Sequence, residues 1–182
     1  MRRYELVKDY VYSKFAEIQY EPLRIAAISH TASVDTCITF LAISRGIKPE
    51  KAKIAALFHD YAQFIDNCPH SQHAKLSSIY AHKYLSETKM FKVNEIDDIC
   101  FAIGQHSKKE IYDSPLCELL KDADVLARFL ENPDMELKGI RKQRLPRKRV
   151  DDCNGLSVTY PLCVFAERFF YIRLQLRLTA PA

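Results

Sequence analysis

Glycine is scarce in this sequence, with 4 glycines among 182 residues. Proteins average about 7% glycine, and the many tight turns of an all-β chain depend on it, so the shortage argues against an all-β fold. No glycine-rich phosphate loop is present, which excludes P-loop and dinucleotide-binding proteins. The six cysteines include no Cys-x-x-Cys pair that would indicate a metal or redox motif. We therefore expect reduced, mostly buried thiols.

Long apolar segments are also missing. No uninterrupted apolar run approaches the roughly 18 residues of a membrane span, and the N-terminus has no apolar signal-peptide core. The sequence thus predicts a soluble, cytoplasmic protein without a membrane partner. Its length, with 48% hydrophobic and 27% charged residues, is that of one globular domain.

The net charge of +4 comes from one short stretch. Residues 138–149 hold seven Lys and Arg and no acid, whereas acids outnumber bases in the rest of the chain. Such a stretch is typical of a flexible basic linker, and it would also attract polyphosphate or nucleic acid. Because the charge is confined to this segment, nucleic acid is the less favoured partner of the fold itself.

Apolar residues recur every three or four positions, which is the spacing of helices with one buried face. The pattern predicts one helix through Leu6 to Ile18, a second over about 23–45, and a third from Pro49 into His59-Asp60. A fourth helix follows residues 66–69 and ends at about 87, and two more cover about 94–106 and 115–131. Gly46 stands where a left-handed C-cap would end the second helix, and residues 66–69 are predicted to end the third. The one strand-like stretch is 156–160, so we predict an all-α fold. The apolar stretch 162–178 is either a last core helix or a docking surface.

The histidines are clustered, since all six fall between residues 30 and 106: His30, His59, His70, His73, His82 and His106. Helical bundles build metal sites from inward side chains of facing helices, so histidines on successive helices can converge on a metal. The pair His59-Asp60 lies in an apolar stretch where an unpaired carboxylate would be costly, and a bound metal would remove that cost. For each histidine, an ordinary core or surface position is the alternative.

The order of His30, His59-Asp60 and Asp124 resembles the H…HD…D ligand pattern of the HD superfamily of metal-dependent phosphohydrolases. His73 and His106 match the two further histidines of the extended pattern, and the resemblance covers residues 20–131. The most similar branch is the bacterial one that hydrolyses dinucleoside tetraphosphates symmetrically, where the fourth histidine and the last aspartate have a similar separation.

This chain differs from that branch at two places. It has Gln63 where lysine commonly follows the His-Asp pair, and Ser107 where threonine commonly follows the fourth histidine.

The resemblance implies a single HD-type helical bundle over residues 1–133, with 134–182 as a basic linker and helical extension packed on the same domain. It also implies a phosphohydrolase that cleaves a phosphoester or phosphoanhydride bond of a nucleotide or dinucleoside polyphosphate through a metal-activated water. The cofactor would be one or two divalent ions, chosen among Fe, Mn, Co, Zn and Mg.

The resemblance also implies the ligands. One ion is assigned to His30, His59, Asp60 and Asp124, and a second ion is assigned to His73 and His106. Asp60 has two carboxylate oxygens with which to bridge the ions, so Asp60 and His59 are the implied catalytic residues.

Several positions remain open on the residues alone. Asp122 and Asp124 flank the apolar stripe of one helix on opposite sides, and geometry does not separate them, although the resemblance favours Asp124. His82 could replace His73 as a ligand, and His70 could line the mouth of the site. The candidates for a phosphate contact, each with a solvated charge as the alternative, are Arg24, Lys108, Lys109 and Arg128. Arg128 is favoured as a catalytic residue because it lies one turn beyond Asp124.

Two other functions are compatible with the same residues. One is a non-catalytic HD-fold module that senses a metal or nucleotide, with a basic C-terminal segment that binds a partner or RNA. The other is a di-iron oxygenase on the same fold. A homodimer is compatible with each.

Overall fold

The computed structural model describes residues 2–134, 136 and 138–145, and every regular element within them is a helix. The helices are α1 (Arg2–Ala16), α2 (Glu21–Ser44), α3 (Pro49–Phe58), α4 (Tyr61–Ile65), α5 (His73–Thr88), α6 (Val93–Gln105), α7 (Pro115–Glu131) and α8 (Gly139–Arg144). They belong to one compact unit, Met1–Leu145. The all-α prediction is confirmed for these residues. The predicted strand 156–160 and the apolar stretch 162–178 lie outside them.

The helix ends follow local chemistry. Gly46 has a φ of +65°, the left-handed conformation predicted for it after α2. At the start of α7, the Ser114 hydroxyl accepts a hydrogen bond from the backbone N–H of Cys117, and Pro115 occupies the first turn. The bounds of α7 agree with the prediction for 115–131.

The bundle is organised around α2, α3, α6 and α7. Helix α2 packs on α3 and α7, and α6 packs on α3, α5 and α7. The residues that fill the space between them are fully or almost fully buried: Ile38, Leu57, Phe58, Ile99, Ile103, Leu119 and Leu120. This packing turns the inner sides of four helices toward one volume.

One predicted helix is interrupted. The sequence predicts that the helix from Pro49 runs through His59-Asp60, but α3 ends at Phe58 and α4 begins at Tyr61. The Asp60 backbone departs from helical geometry, with φ −109° and ψ 14°. Consecutive side chains on a continuous helix point about 100° apart. The break allows His59 and Asp60 to face the same volume.

Helix α8 lies in the segment that was predicted to be a basic linker. Arg144 at its end is 8% exposed and contacts the loop between α6 and α7. Residues 139–144 are therefore helical and packed on α7, not flexible linker. The domain boundary between residues 133 and 134 stays a prediction, and the basic residues 147–149 lie outside the described part.

By length and composition alone, α2 could cross a membrane. The same helix carries His30 and buries Val34, Ile38 and Leu41 in the bundle. Core helices pass the same length and hydropathy test, so this finding is weak evidence for a membrane span.

The described cysteines agree with the expectation of reduced thiols. All four are free, and Cys37, Cys100 and Cys117 are buried. Burial raises the pKa of the Cys37 and Cys100 thiols to about 12, so both stay protonated and unreactive at neutral pH.

Candidate metal centre

The six predicted ligands converge on one buried centre, and they are His30, His59, Asp60, His73, His106 and Asp124. Asp60 lies in the middle. Its Oδ1 is 3.1 Å from His106 Nε2 and 3.2 Å from His73 Nε2. Its Oδ2 is 3.4 Å from His59 Nε2 and 3.6 Å from His30 Nε2. Each carboxylate oxygen of Asp60 thus faces its own pair of imidazoles.

The centre therefore divides into two groups of potential metal ligands that share Asp60. The ligand atoms of His30, His59 and Asp60 lie within 4.8 Å of one another, and so do those of Asp60, His73 and His106. Asp124 adds to the first group, since its Oδ1 is 3.4 Å from His30 Nε2. The two groups contain the residues that the resemblance assigned to two ions, and the binding of an ion by each group stays a prediction.

The outward nitrogen of each imidazole faces a hydrogen-bond acceptor. His59 and His106 direct Nδ1 at the backbone carbonyl three residues earlier, over 2.8 and 2.7 Å, and His73 contacts the carbonyl of His70 in the same way. His30 directs Nδ1 at the Glu131 carboxylate, 3.0 Å away. Carbonyls and carboxylates only accept, so each Nδ1 carries a proton. In the neutral tautomer, each Nε2 is then a bare lone pair aimed at the centre.

These lone pairs face one another. The Nε2 atoms of His30 and His59 are 3.2 Å apart, and those of His73 and His106 are 3.1 Å apart. Two neutral imidazoles in this tautomer place no hydrogen between the nitrogens, so the pairs repel unless a cation or a proton lies with them. The donor set of imidazole nitrogens and carboxylate oxygens is one that divalent transition metals accept.

The electrostatics of the centre agree with this demand for positive charge. Burial alone would lower the pKa of His30, but its hydrogen bonds to Asp124 and Glu131 raise it to about 9. Burial would raise the pKa of Asp60, yet neighbouring imidazoles hold it well below its ordinary value. Lys109 and His30 do the same for Asp124, also against burial. Both carboxylates are therefore ionised, and without a metal His30 binds an extra proton at neutral pH.

The structure separates the alternatives that the residues left open. Asp122 turns away from the centre, and its carboxylate contacts Arg45 at 2.6 Å and Arg144 at 2.9 Å. His82 is exposed on α5. His70 is exposed too, and its ring stacks on that of His73 with centroids 4.5 Å apart. The geometry of the centre therefore includes Asp124 and His73, with His70 beside it.

Of the four candidate phosphate ligands, two reach the centre. The guanidinium of Arg128 lies 3.0 Å from Asp124 Oδ1 and 3.1 Å from Asp60 Oδ2, with its side chain 42% exposed. Lys109 is 5% exposed, so it is not a solvated charge, and its Nζ lies 2.7 Å from Asp124 Oδ2. Arg24 instead donates to the carbonyl of Ile18, and Lys108 is exposed.

Glu131 is a residue of the centre that the sequence analysis missed. It lies seven residues after Asp124, which is two turns along α7 on the same face. That spacing is the signal that could have identified it once Asp124 was chosen. The position of Lys109, three residues after His106, gives no comparable signal, because the loop that places it has no helical period.

The chain is similar to one known protein family and to two curated proteins. The HD domain family matches residues 27–128. Ribonuclease Y of Desulfotalea psychrophila is 28% identical over 136 residues, which cover 74% of this chain and 23% of that protein. Ribonuclease Y of Oleidesulfovibrio alaskensis is 27% identical over 132 residues, covering 71% and 22%. This chain spans less than a quarter of the length of these two curated relatives.

A solved structure shows the same fold. It is described as a predicted HD superfamily hydrolase from an uncultured Thermotogales bacterium, and it aligns with a TM-score of 0.56 and 22% identity. The alignment covers 92% of this chain and 91% of the other.

Proposed function

We propose that this chain, which belongs to the HD domain family, is a metal-dependent phosphohydrolase. The observation that carries the proposal is the inward set of four imidazole Nε2 atoms around the carboxylates of Asp60 and Asp124, with every Nδ1 held by an acceptor. A buried set of imidazole lone pairs that face one another beside two carboxylates is a site prepared for cations.

The residues present fit one or two divalent ions. His30, His59, Asp60 and Asp124 would hold one ion, and His73 and His106 would hold a second with Asp60 shared between them. When bound, such ions generate a nucleophile from water at neutral pH and neutralise charge on phosphoryl oxygens.

The chain's own residues supply the rest of the chemistry. The hydrogen bonds to Nδ1 fix the imidazole rings in one tautomer and one orientation. Arg128 lies at the exposed edge of the centre with a planar guanidinium, whose paired N–H donors match two oxygens of a phosphate. We assign to Arg128 the task of binding and orienting the substrate phosphate. A phosphoester or phosphoanhydride of a nucleotide, including a dinucleoside polyphosphate, is the proposed substrate.

A second substrate class rests on a separate observation. The two curated relatives are named Ribonuclease Y, and their matches extend over more than 70% of this chain. An RNA phosphodiester bond is the second candidate for hydrolysis at the same centre.

The decisive experiment is to purify the full chain without added metal and without air and to measure the metal content per chain. Two ions per chain support the full centre, and one ion supports the four-ligand part. The loaded protein is then assayed against dinucleoside tetraphosphates, mononucleotides and short RNA oligomers. His59→Ala should lose both the metal and turnover.

Two outcomes would contradict the proposal. A protein that binds no metal even after incubation with Mn, Fe and Co favours the non-catalytic binding module. Turnover that needs a redox-active metal and consumes oxygen favours the di-iron oxygenase.

A further inference from the structure

Lys109 is an ammonium buried inside the metal centre. It lies in the loop between α6 and α7, and its Nζ donates to Asp124 Oδ2 over 2.7 Å and to the carbonyl of Lys121 over 3.3 Å. A buried lysine is rare, because removing the charge from water is costly unless a partner is placed to receive it. The loop must therefore hold Lys109 in one position.

Arg144 supplies that hold from α8. Its Nε donates to the Lys109 carbonyl over 2.8 Å, and Nη2 contacts the carbonyls of Lys109 and Ile111. Its Nη1 donates to Glu118 at 2.8 Å and Asp122 at 2.9 Å, both on α7. The guanidinium thus ties the backbone of the loop at Lys109 and Ile111 to the helix that carries Asp124.

The contact with Lys109 gives the two oxygens of the Asp124 carboxylate different roles. Oδ2 is taken by the ammonium, and Oδ1 is the oxygen that lies 3.4 Å from His30 Nε2 and 3.0 Å from Arg128 Nε. A carboxylate fixed through one oxygen presents the other in a defined direction, as outer hydrogen bonds do for metal ligands generally.

We propose that Lys109 and Arg144 are positioning residues of the metal centre, with Arg144 anchoring the loop and Lys109 orienting Asp124 so that Oδ1 faces the metal. This inference rests on the proposed function, because it assigns a task to these residues in the same centre. Through Arg144, helix α8 of the basic segment then helps to set the geometry of the site.

A different role for Lys109 predicts the opposite result. If the ammonium only neutralised Asp124, its removal would leave a more negative centre, and the centre would bind a cation more tightly. A positioning role predicts weaker binding in spite of the gained negative charge. The sign of the change in metal affinity therefore separates the two.

The test measures the Kd for Mn²⁺ of the full chain, by competition with a chromophoric chelator, in the wild type and variants. We expect Lys109→Met and Arg144→Met each to weaken binding by about 10–100-fold, the usual effect of losing an outer-shell partner. Because Arg144 acts through Lys109, the double variant should be no weaker than Lys109→Met alone. Lys142→Met, an exposed residue on α8, is the matched control and should not change the Kd.

Thermal unfolding of each metal-free variant verifies that it folds, and Lys109→Gln and Arg144→Lys replace any variant that does not. Equal or tighter Mn²⁺ binding by the Lys109 variants overturns the inference while the proposed function stands. Additive effects of Lys109→Met and Arg144→Met overturn the coupling between the two residues. A wild type that binds no Mn²⁺ overturns the proposed function, and this inference with it.

Discussion

The bundle buries two groups of charged side chains, and the polar atoms of the two groups are paired in different ways. The first is the metal centre. The second, here named the α7–α8 network, joins the cations Lys121 and Arg144 to Asp113, Glu118 and Asp122. In the network every acid meets an N–H donor. In the centre, by contrast, the imidazole nitrogens meet one another across 3.1 and 3.2 Å.

The difference shows how to distinguish a structural group of buried charges from a functional one. Lys121 is fully buried, and its ammonium donates to the Ile111 carbonyl, Asp113 and Glu118 over 2.6, 2.6 and 2.9 Å. Such a closed network needs nothing from solution. A buried group with a surplus of acceptors is costly in the free protein, and that cost is offset when a cation binds.

The largest expected effect comes from removing a cation from the α7–α8 network. Lys121→Met removes the shared donor and leaves Asp113 and Glu118 with fewer partners, so we expect a loss of about 3–5 kcal/mol in the free energy of unfolding. Urea denaturation measures it, with the exposed Lys83→Met as control. The loss should be the same with and without Mn²⁺. A loss restored by Mn²⁺ would mean that the network belongs to the centre.

The second largest effect comes from binding Mn²⁺ in the centre, and from preventing that binding with a substitution at Asp60. Mn²⁺ at 100 times its Kd should stabilise the wild type by about 2.7 kcal/mol. Asp60→Asn should abolish this gain, because the amide can donate its own N–H to a facing Nε2 and has lost the negative charge. Thermal unfolding with and without Mn²⁺ checks both. Metal-dependent stabilisation that persists in Asp60→Asn would remove Asp60 from the centre.

A smaller effect tests the hydrogen bonds that surround the centre. Glu131→Gln keeps an acceptor for His30 Nδ1 but loses the charge, whereas Glu131→Ala loses both. We expect the Kd for Mn²⁺ to rise by about 10-fold and up to about 100-fold respectively, which is about 1.4 and 2.7 kcal/mol. Chelator competition measures the change, and the exposed Glu87→Gln is the control. An unchanged Kd in Glu131→Ala would show that His30 needs no partner.

The smallest effect is a pH dependence within the network. Burial would raise the pKa of Glu118, but hydrogen bonds from Lys121 and Arg144 lower it below its ordinary value. Its stabilising contribution is therefore present above the unfolded pKa of about 4.3 and is lost as pH falls through the folded value. The stability gap between the wild type and Glu118→Gln should narrow below about pH 4. Urea denaturation of metal-free protein across pH 3–6 measures it, and a constant gap would contradict the assignment.

Much of the helical framework was predictable from local pattern. Apolar spacing and end signals such as Ser114-Pro115 and Gly46 act within a few residues, and the bounds of α7 and the cap after α2 agree with them. Among the residues of the centre, the order of His30, His59-Asp60 and Asp124 carried enough information to propose a metal site before any contact was known.

The errors lie where tertiary contacts override local pattern. The apolar run around His59-Asp60 reads as one helix, yet the chain breaks there, and the two side chains face the same centre. Helix α8 lies in a stretch whose charges suggest a linker, but the acids of α7 give Arg144 a buried position. The sequence names Lys109 only as a candidate phosphate contact, and its contact with Asp124 follows from no periodicity, since packing brings the loop that carries it against α7 and against Arg144, which is 35 residues away in the chain.

The sequence by itself determined that the chain is helical and that four histidines and two aspartates are available as ligands in family order. Only the tertiary structure decided that Asp124 and not Asp122 faces the centre, that His70 and His82 lie outside it, and that Glu131 and Lys109 support it. The physical reason is the distance along the chain over which the two kinds of interaction act. Helix formation depends on neighbours within a turn or two, whereas the direction of a buried charge depends on partners that packing brings from distant parts of the chain.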